Sequence, residues 1–432
     1  MTVLEKMREF ISELRIIDTH EHLPREAQWA AGTDDVLSQW LAHYFSSDLV
    51  SAGLPPKVLA ETVRESTKPL KKRWKVVEPF WNAARNTGYG RSLDIAARDL
   101  YGVPRVDGST IEQLNERFVA ARKETLKGKS HYRYVFKEKS RIAVSLVDVF
   151  PKPVMGYDRE FFRNVYRVDP YLAPCDPVEV DRLAGETGIR IHTLDDYVAA
   201  VLAGVEKGIA QGAVALKCAL AYERPIYFAR VTHAEAEATF NRILGIPRGE
   251  DVGHVHMDKN KAVEDYVMHR ILAYADGRGL TVQIHTGIQE GNGNILANSN
   301  PELLTNLLLE YSNVTFDLFH MSYPYQNVLS AIAKNFQNVT IDMCWAHIIS
   351  PEAAVRALVE FLDAVPANKI SAFGGDYLFP DGVYGHQYLA REDVARALAI
   401  KVADGCFDVE RAKEVARWLF VDNPKRIFKL DV

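Results

Sequence analysis

Eight short apolar runs, separated by stretches with helical spacing, constrain this chain more than any other feature. They cover 16–20, 141–149, a weaker run near 166–172, then 213–219, 280–285, 313–319, 338–343 and 369–374. Runs of this length suit buried strands, and the intervals between the later ones suit crossover helices. Thr193 with Asp196 three residues on forms a capping box, and Ser350 followed by Pro351 opens another helix. Strand–helix alternation implies an α/β architecture with a parallel sheet. Eight strands imply a (β/α)8 TIM barrel spanning residues 1–432 as one domain.

One interval breaks the rhythm. Residues 28–140, between the first two runs, are rich in helix formers, Trp and Tyr. They are expected to form a helical insertion at the barrel mouth, where it can cover a substrate and exclude water. A packing extension without a catalytic part is the plainer reading.

Composition narrows the function classes. Apolar residues make up 47% of the chain, enough for a large core. Lys and Arg number 52 against 57 Asp and Glu, a net charge of −5 that argues against nucleic acid as a partner. Cys175, Cys218, Cys344 and Cys406 are scattered with no C-x-x-C, which suits a reducing cytoplasm. No apolar stretch approaches the ~18–20 residues of a membrane span. Leu4, Met7, Ile11 and Leu14 repeat at helical spacing, so the N-terminal stretch reads as an amphipathic helix and not a signal peptide. The expected partner is a small molecule; self-association is left open.

Chemistry-bearing residues sit where these runs end. Ile16-Ile-Asp-Thr-His-Glu-His carries His20 and His22, two residues apart, so on a strand they share a face and can share a metal ion. The second H-x-H, His254 and His256, follows no apolar run and is read as loop. His285 closes Leu280-Thr-Val-Gln-Ile-His, with Thr281, Gln283 and His285 on one face. His320 ends Val314-Thr-Phe-Asp-Leu-Phe-His, as a second-metal ligand or as a free imidazole acting as general acid or electrophile. Asp376 follows Gly374 and Gly375, which let the backbone turn and a substrate approach; its carboxylate can bind a metal and take a proton from water.

Lys217 stands inside Ala213-Val-Ala-Leu-Lys-Cys, where small Ala215 and Ala219 leave room beside it. A lysine in an apolar strand is costly unless paired or modified, and desolvation favours its neutral amine. Three readings stay open: a partner for a substrate carboxylate, a salt bridge, or a carbamate bridging two metals. Tyr222, Arg224, Gln289, Tyr323 and Trp345 lie just past strand ends, within expected reach of a small polar, anionic substrate.

The ordered set, His-x-His, Lys, His, His, Asp on strands one, four, five, six and eight, resembles the amidohydrolase superfamily of metal-dependent (β/α)8 barrels. The match spans nearly the whole chain. Its end, Asp422-Asn-Pro-Lys-Arg-Ile-Phe, is similar to the aminocarboxymuconate decarboxylase-like branch; the long insertion and Trp345 are similar to uronate isomerases. The resemblance implies a divalent metal, usually zinc, held by His20, His22, His285 and Asp376. One-metal members use the position of His320 catalytically. Two-metal members carbamylate the position of Lys217 and bind a second ion through that of His320. The one-ion arrangement is the expectation here, with Lys217 contacting substrate.

These readings point to a metal-dependent hydrolase in which the metal activates water, Asp376 shuttles the proton, and His320 helps stabilise the oxyanion. Three alternatives accompany it. One is a uronate isomerase-like aldose–ketose isomerase, although uronate isomerases offer no ligand to match His285. Another is a metal-dependent decarboxylase of an unsaturated or aromatic acid. The third is a metal-binding scaffold that has lost its chemistry.

Overall fold

The structure is a computed structural model describing residues 1–64, 67–247 and 257–432, the side chains of 257–259 excepted. His254 and His256 lie outside the described residues. Eight strands run parallel in chain order: β1 (Ile16–Glu21), β2 (Ile142–Val147), β3 (Phe162–Arg167), β4 (Ala213–Cys218), β5 (Thr281–Ile284), β6 (Thr315–Leu318), β7 (Val339–Asp342) and β8 (Ile370–Ser371). Beyond β8 the chain stays extended. Phe373 O accepts from Thr19 N, while Asp376 N and Tyr377 O bond His20 O and His22 N, so the last segment meets the first. The (β/α)8 barrel is the fold, with helices around it.

Seven of the eight runs fall where expected. The third does not: β3 is Phe162–Arg167, and the apolar stretch after it turns through a short 3-10 segment at Asp169–Tyr171. Pro170 cannot donate to a ladder, and Arg163, Asn164 and Arg167 break the apolar pattern of the true strand. Those polar side chains are mostly buried and have partners: Arg163 bonds Asp431, and Arg167 bonds Asp148.

The barrel interior changes character along its axis. Ile17, Val144, Leu146, Val165 and Ala215 pack together with Ile427, Phe428 and Leu430 of the C-terminal segment. Two residues further along their strands, on the same face, stand Asp148, Arg167 and Lys217. An apolar floor thus supports a polar layer at the C-terminal strand ends.

The insertion is a set of helices that includes Phe45–Ser51, Leu70–Ala84, Gly88–Tyr101 and Ile111–Leu126. In Leu70–Ala84 the buried Trp74, Val77, Trp81 and Ala84 lie on one face. Trp81 meets Trp74 with ring centroids 5.1 Å apart and Phe45 edge-on at 4.7 Å. The two ends of the insertion are tied together: Glu26 accepts from Ser130 Oγ and from Tyr132 N, at 3.0 and 2.7 Å. Its far side is joined to the barrel through Asp381, fully buried in the first turn of the helix Pro380–Ala403. Trp40 Nε1 and Tyr101 Oη each donate to that carboxylate at 2.9 Å, and the helix N-terminus favours its charge.

The first helix, Val3–Glu13, carries a Thr2–Glu5 capping box and buries Met7 and Ile11. Thr193 and Ser350 cap their helices as the sequence implies. Among the described residues, no helix is long and apolar enough to cross a membrane.

Candidate metal centre

His20 and His22 leave β1 with each ring held on its Nδ1 side. His20 Nδ1 lies 3.2 Å from Gln283 Oε1, and His22 Nδ1 lies 2.8 Å from the Asp148 carbonyl. Oxygen atoms in those positions only accept, so Nδ1 carries the proton and each Nε2 keeps a lone pair. Both lone pairs converge on Asp376: its Oδ1 is 3.7 Å from His20 Nε2 and 3.1 Å from His22 Nε2. His20 Nε2 is fully buried yet has no hydrogen-bond partner among the described residues. An orphaned imidazole nitrogen facing a histidine and a carboxylate is what a divalent ion requires, so these residues fit one.

A second convergence lies beside the first. His285 Nε2 is 3.0 Å from the Ile288 carbonyl, and His320 Nδ1 is 2.9 Å from the Cys344 carbonyl. The remaining nitrogens, His285 Nδ1 and His320 Nε2, therefore face each other as two lone pairs 3.1 Å apart. That approach is repulsive unless a cation stands with them. Asp376 Oδ2 is 4.0 Å from His320 Nε2, so one carboxylate addresses both groups.

Burial shapes the charge states. It pushes the His20 and His285 pKa values well below the ordinary imidazole value, and takes His320 down to about 4. Burial alone would raise Asp376, but His22 at 3.1 Å, with His20 and His320, holds it well below the carboxylate range. Burial would raise Asp148 too; Arg167, His22 and His20 outweigh it and bring it to about 2. At neutral pH His20, His285 and His320 are neutral beside ionised carboxylates, the states that bind a cation.

Strain marks the same place. His320, Met321, Ser322, Trp345 and Asp376 all have positive φ, rare for residues with side chains. Gly374 and Gly375 serve the packing beneath Asp376 and not a substrate above it. A Cβ at Gly374 would sit 2.6 Å from Thr19 Oγ1, and one at Gly375 would run into Glu21 Oε1.

A cavity of about 660 Å³ opens over this centre, walled by His20, His22, Arg167, Lys217, His285 and Asp376 from the barrel and by His43 and Tyr44 from the insertion. Of the six residues expected to meet substrate, Lys217 and Tyr222 line it. Arg224 does not: its guanidinium is buried and committed to Glu264, Asp265 and the Pro225 and Tyr227 carbonyls. Trp345 does not either, being buried with Tyr44 stacked on it at 4.5 Å. Gln289 is buried and spends its amide nitrogen on the Ala221 carbonyl, and Tyr323 lies off the wall. His320 also stands behind His285, away from the cavity surface.

Four groups at the site escaped the sequence reading. Tyr44 Oη donates to the Asp376 carbonyl at 2.7 Å. His43, whose pKa burial lowers to about 3, lines the cavity with its Nδ1 unpartnered. Asp148 orients His22 and holds Arg167, which Asp169 also binds. Asp148 follows the apolar β2 directly, the same strand-end position that singled out Asp376. Nothing local marks His43 or Tyr44.

The sequence family described as amidohydrolase matches residues 168–430. The protein fluG of Emericella nidulans is 25% identical over 208 residues, 47% of this chain and 23% of that protein. The chain thus spans about a quarter of the length of that relative. Among solved structures, uronate isomerase from Thermotoga maritima superposes with a TM-score of 0.79 at 15% identity, over 99% of this chain and 97% of that one. Glucuronate isomerase from Caulobacter crescentus gives 0.75 at 19% identity, over 100% and 94%. At such identities these likenesses speak for the fold.

Proposed function

The chain belongs to the amidohydrolase family, and we propose that it is a metal-dependent hydrolase of a small, polar, anionic substrate. The observation that carries this reading is the convergence of unprotonated imidazole nitrogens on the ionised Asp376. His20, His22 and Asp376 would hold one divalent ion, with His285 completing the set, and zinc suits imidazole and carboxylate donors. When bound, such an ion supplies Lewis acidity and brings the pKa of water towards neutrality.

The chain's own residues supply the rest. Asp376 takes the proton of the attacking water and returns it to the leaving group. Its carbonyl is pinned by Tyr44, which keeps the carboxylate aimed at the centre. Lys217 holds the anionic end of the substrate, and Tyr222, with its ring 4.7 Å from that of His285, flanks the reacting end. His320, held by the Cys344 carbonyl, backs the His285 ring edge-on at 4.4 Å in place of direct contact with the oxyanion. His43, Tyr44 and the insertion behind them limit the water that reaches the site.

The facing lone pairs of His285 and His320 favour a second reading, in which Lys217 is carbamylated and two ions are held. The likeness to uronate and glucuronate isomerases over nearly the whole chain favours a third, aldose–ketose isomerisation. Elemental mass spectrometry on protein purified without added metal tests the first two. About one ion per chain, lost in His20→Ala, supports the hydrolase reading as stated. Two ions support the carbamate. No ion, and none regained on dialysis against zinc or manganese, overturns both. Ketose formation from D-glucuronate would establish the third.

A further inference from the structure

The cavity holds two charges of opposite sign that no opposite charge among the described residues reaches at ion-pair distance. Lys217 is 2% exposed and lines the floor, yet no carboxylate among the described residues comes within ion-pair distance of its Nζ; its contact is the face of Phe319, 3.4 Å away. An ammonium group buried without an anion is costly, and the cost persists only where a partner arrives later. Arg167, the other cation of the wall, is already matched by Asp148 and Asp169.

The mouth shows the converse. Glu179 is paired with Arg182, and Glu264 with Arg224. Glu290 lines the same cavity, half-buried; Arg64 acts on its carboxylate from beyond ion-pair distance, and the carboxylate has no hydrogen bond or ion pair among the described residues. Its position is built. Ile288 N bonds the Tyr323 carbonyl, Asn292 Nδ2 bonds the Ser47 carbonyl of the insertion, and Glu290 N donates to Tyr222 Oη at 3.0 Å. The ring of Tyr222 lies against His285, so Glu290 stands about one tyrosine's length from the candidate metal centre.

We infer that the substrate is a zwitterion, with a carboxylate or similar anion seated on Lys217 at the floor and a primary ammonium group seated on Glu290 at the mouth. The inference rests on the one-ion hydrolase reading above and names its substrate class: an amino-acid-like molecule in place of a plain anion. Each unmatched charge then finds its counter-ion when substrate binds, and a ligand lacking either end leaves one of them unsatisfied.

The test is calorimetric binding to zinc-loaded protein of 4-aminobutanoate and 6-aminohexanoate, each against butanoate or hexanoate of equal length. At one length the amino acid should bind about tenfold tighter or more. Glu290→Gln should bring that ratio to within about twofold while the plain acid keeps its affinity. Lys217→Met should weaken both by about tenfold, with circular dichroism to confirm the fold. Equal affinities at both lengths, no binding of any of the four, or an unchanged ratio in E290Q would overturn the inference. Turnover does not enter these measurements. A chain that shows the pattern and hydrolyses nothing refutes the hydrolase reading alone, and a hydrolase indifferent to E290Q refutes the zwitterion alone.

Discussion

The barrel side of the cavity holds its imidazoles with oxygen atoms from other strands and the loops that follow them: Gln283 for His20, the Asp148 carbonyl for His22, the Cys344 carbonyl for His320. The insertion side is held by rings. Tyr44 stacks on Trp345 at 4.5 Å and on Tyr89 at 5.2 Å, and Trp345 stands edge-on to His320. Directional bonds fix which nitrogen carries a proton, so the barrel side sets the chemistry. Stacking fixes shape and excludes water with less demand on angle, so the insertion side sets access. Tyr44 Oη, donating to the Asp376 carbonyl, is where the two kinds of wall meet.

The sharpest way to break this division is Asp376→Asn. It removes the negative charge shared by both imidazole groups and should lower turnover by about 10²- to 10⁴-fold, with circular dichroism unchanged. An active, metal-bearing D376N protein would refute the role given to this side chain. Next comes the joint between the walls. Asp381→Ala leaves the buried Trp40 and Tyr101 donors unsatisfied and should destabilise by about 3–5 kcal/mol in urea denaturation. If the insertion is a separate wall, its tryptophan fluorescence should change before the barrel's circular dichroism does.

Acid should act through the barrel side. His386, fully buried beneath the Asp376 turn, bonds the Gly375 carbonyl, and burial lowers its pKa from 6.5 to about 3. Below pH 6.5 the unfolded chain takes this proton and the folded chain does not. Stability is therefore full above 6.5 and falls as pH drops towards 3, by up to ~1.4 kcal/mol per pH unit. His386→Gln should flatten that slope in denaturation curves at pH 7, 6, 5 and 4; an unchanged slope would remove His386 from the account. The smallest effect belongs to Tyr44→Phe, which deletes one hydrogen bond and keeps the stack. A loss of about 0.5–1.5 kcal/mol in stability is expected, with metal content intact and turnover reduced.

The barrel side was legible in the sequence because its rule is local: an apolar run, then a residue able to bind a metal or move a proton. His20, His22, His285 and Asp376 obey it and all line the cavity. The rule failed at β3, whose arginines are neutralised by Asp148, Asp169 and Asp431, partners that lie outside the strand. It also misjudged residues just past strand ends. Arg224 turned to Glu264 and Asp265, and Trp345 turned under the insertion. The insertion side was legible only as helices rich in aromatic residues. That Tyr44 reaches the Asp376 carbonyl, more than 300 positions away, and that His43 lines the same cavity follow from packing between helices, which no local pattern records.

More than a hundred residues separate β1 from β2, yet the two strands pair directly, Ile17 beside Val144 and Asp18 beside Ser145. Glu26 clasps Ser130 and Tyr132, so the excursion leaves and re-enters at one spot. The pairing of those two strands therefore does not depend on the length of the chain between them. Descendants of this chain are free to lengthen, shorten or rebuild that segment without shifting the register of any strand. Ligand preference can drift in one lineage while the chemistry it serves is inherited intact.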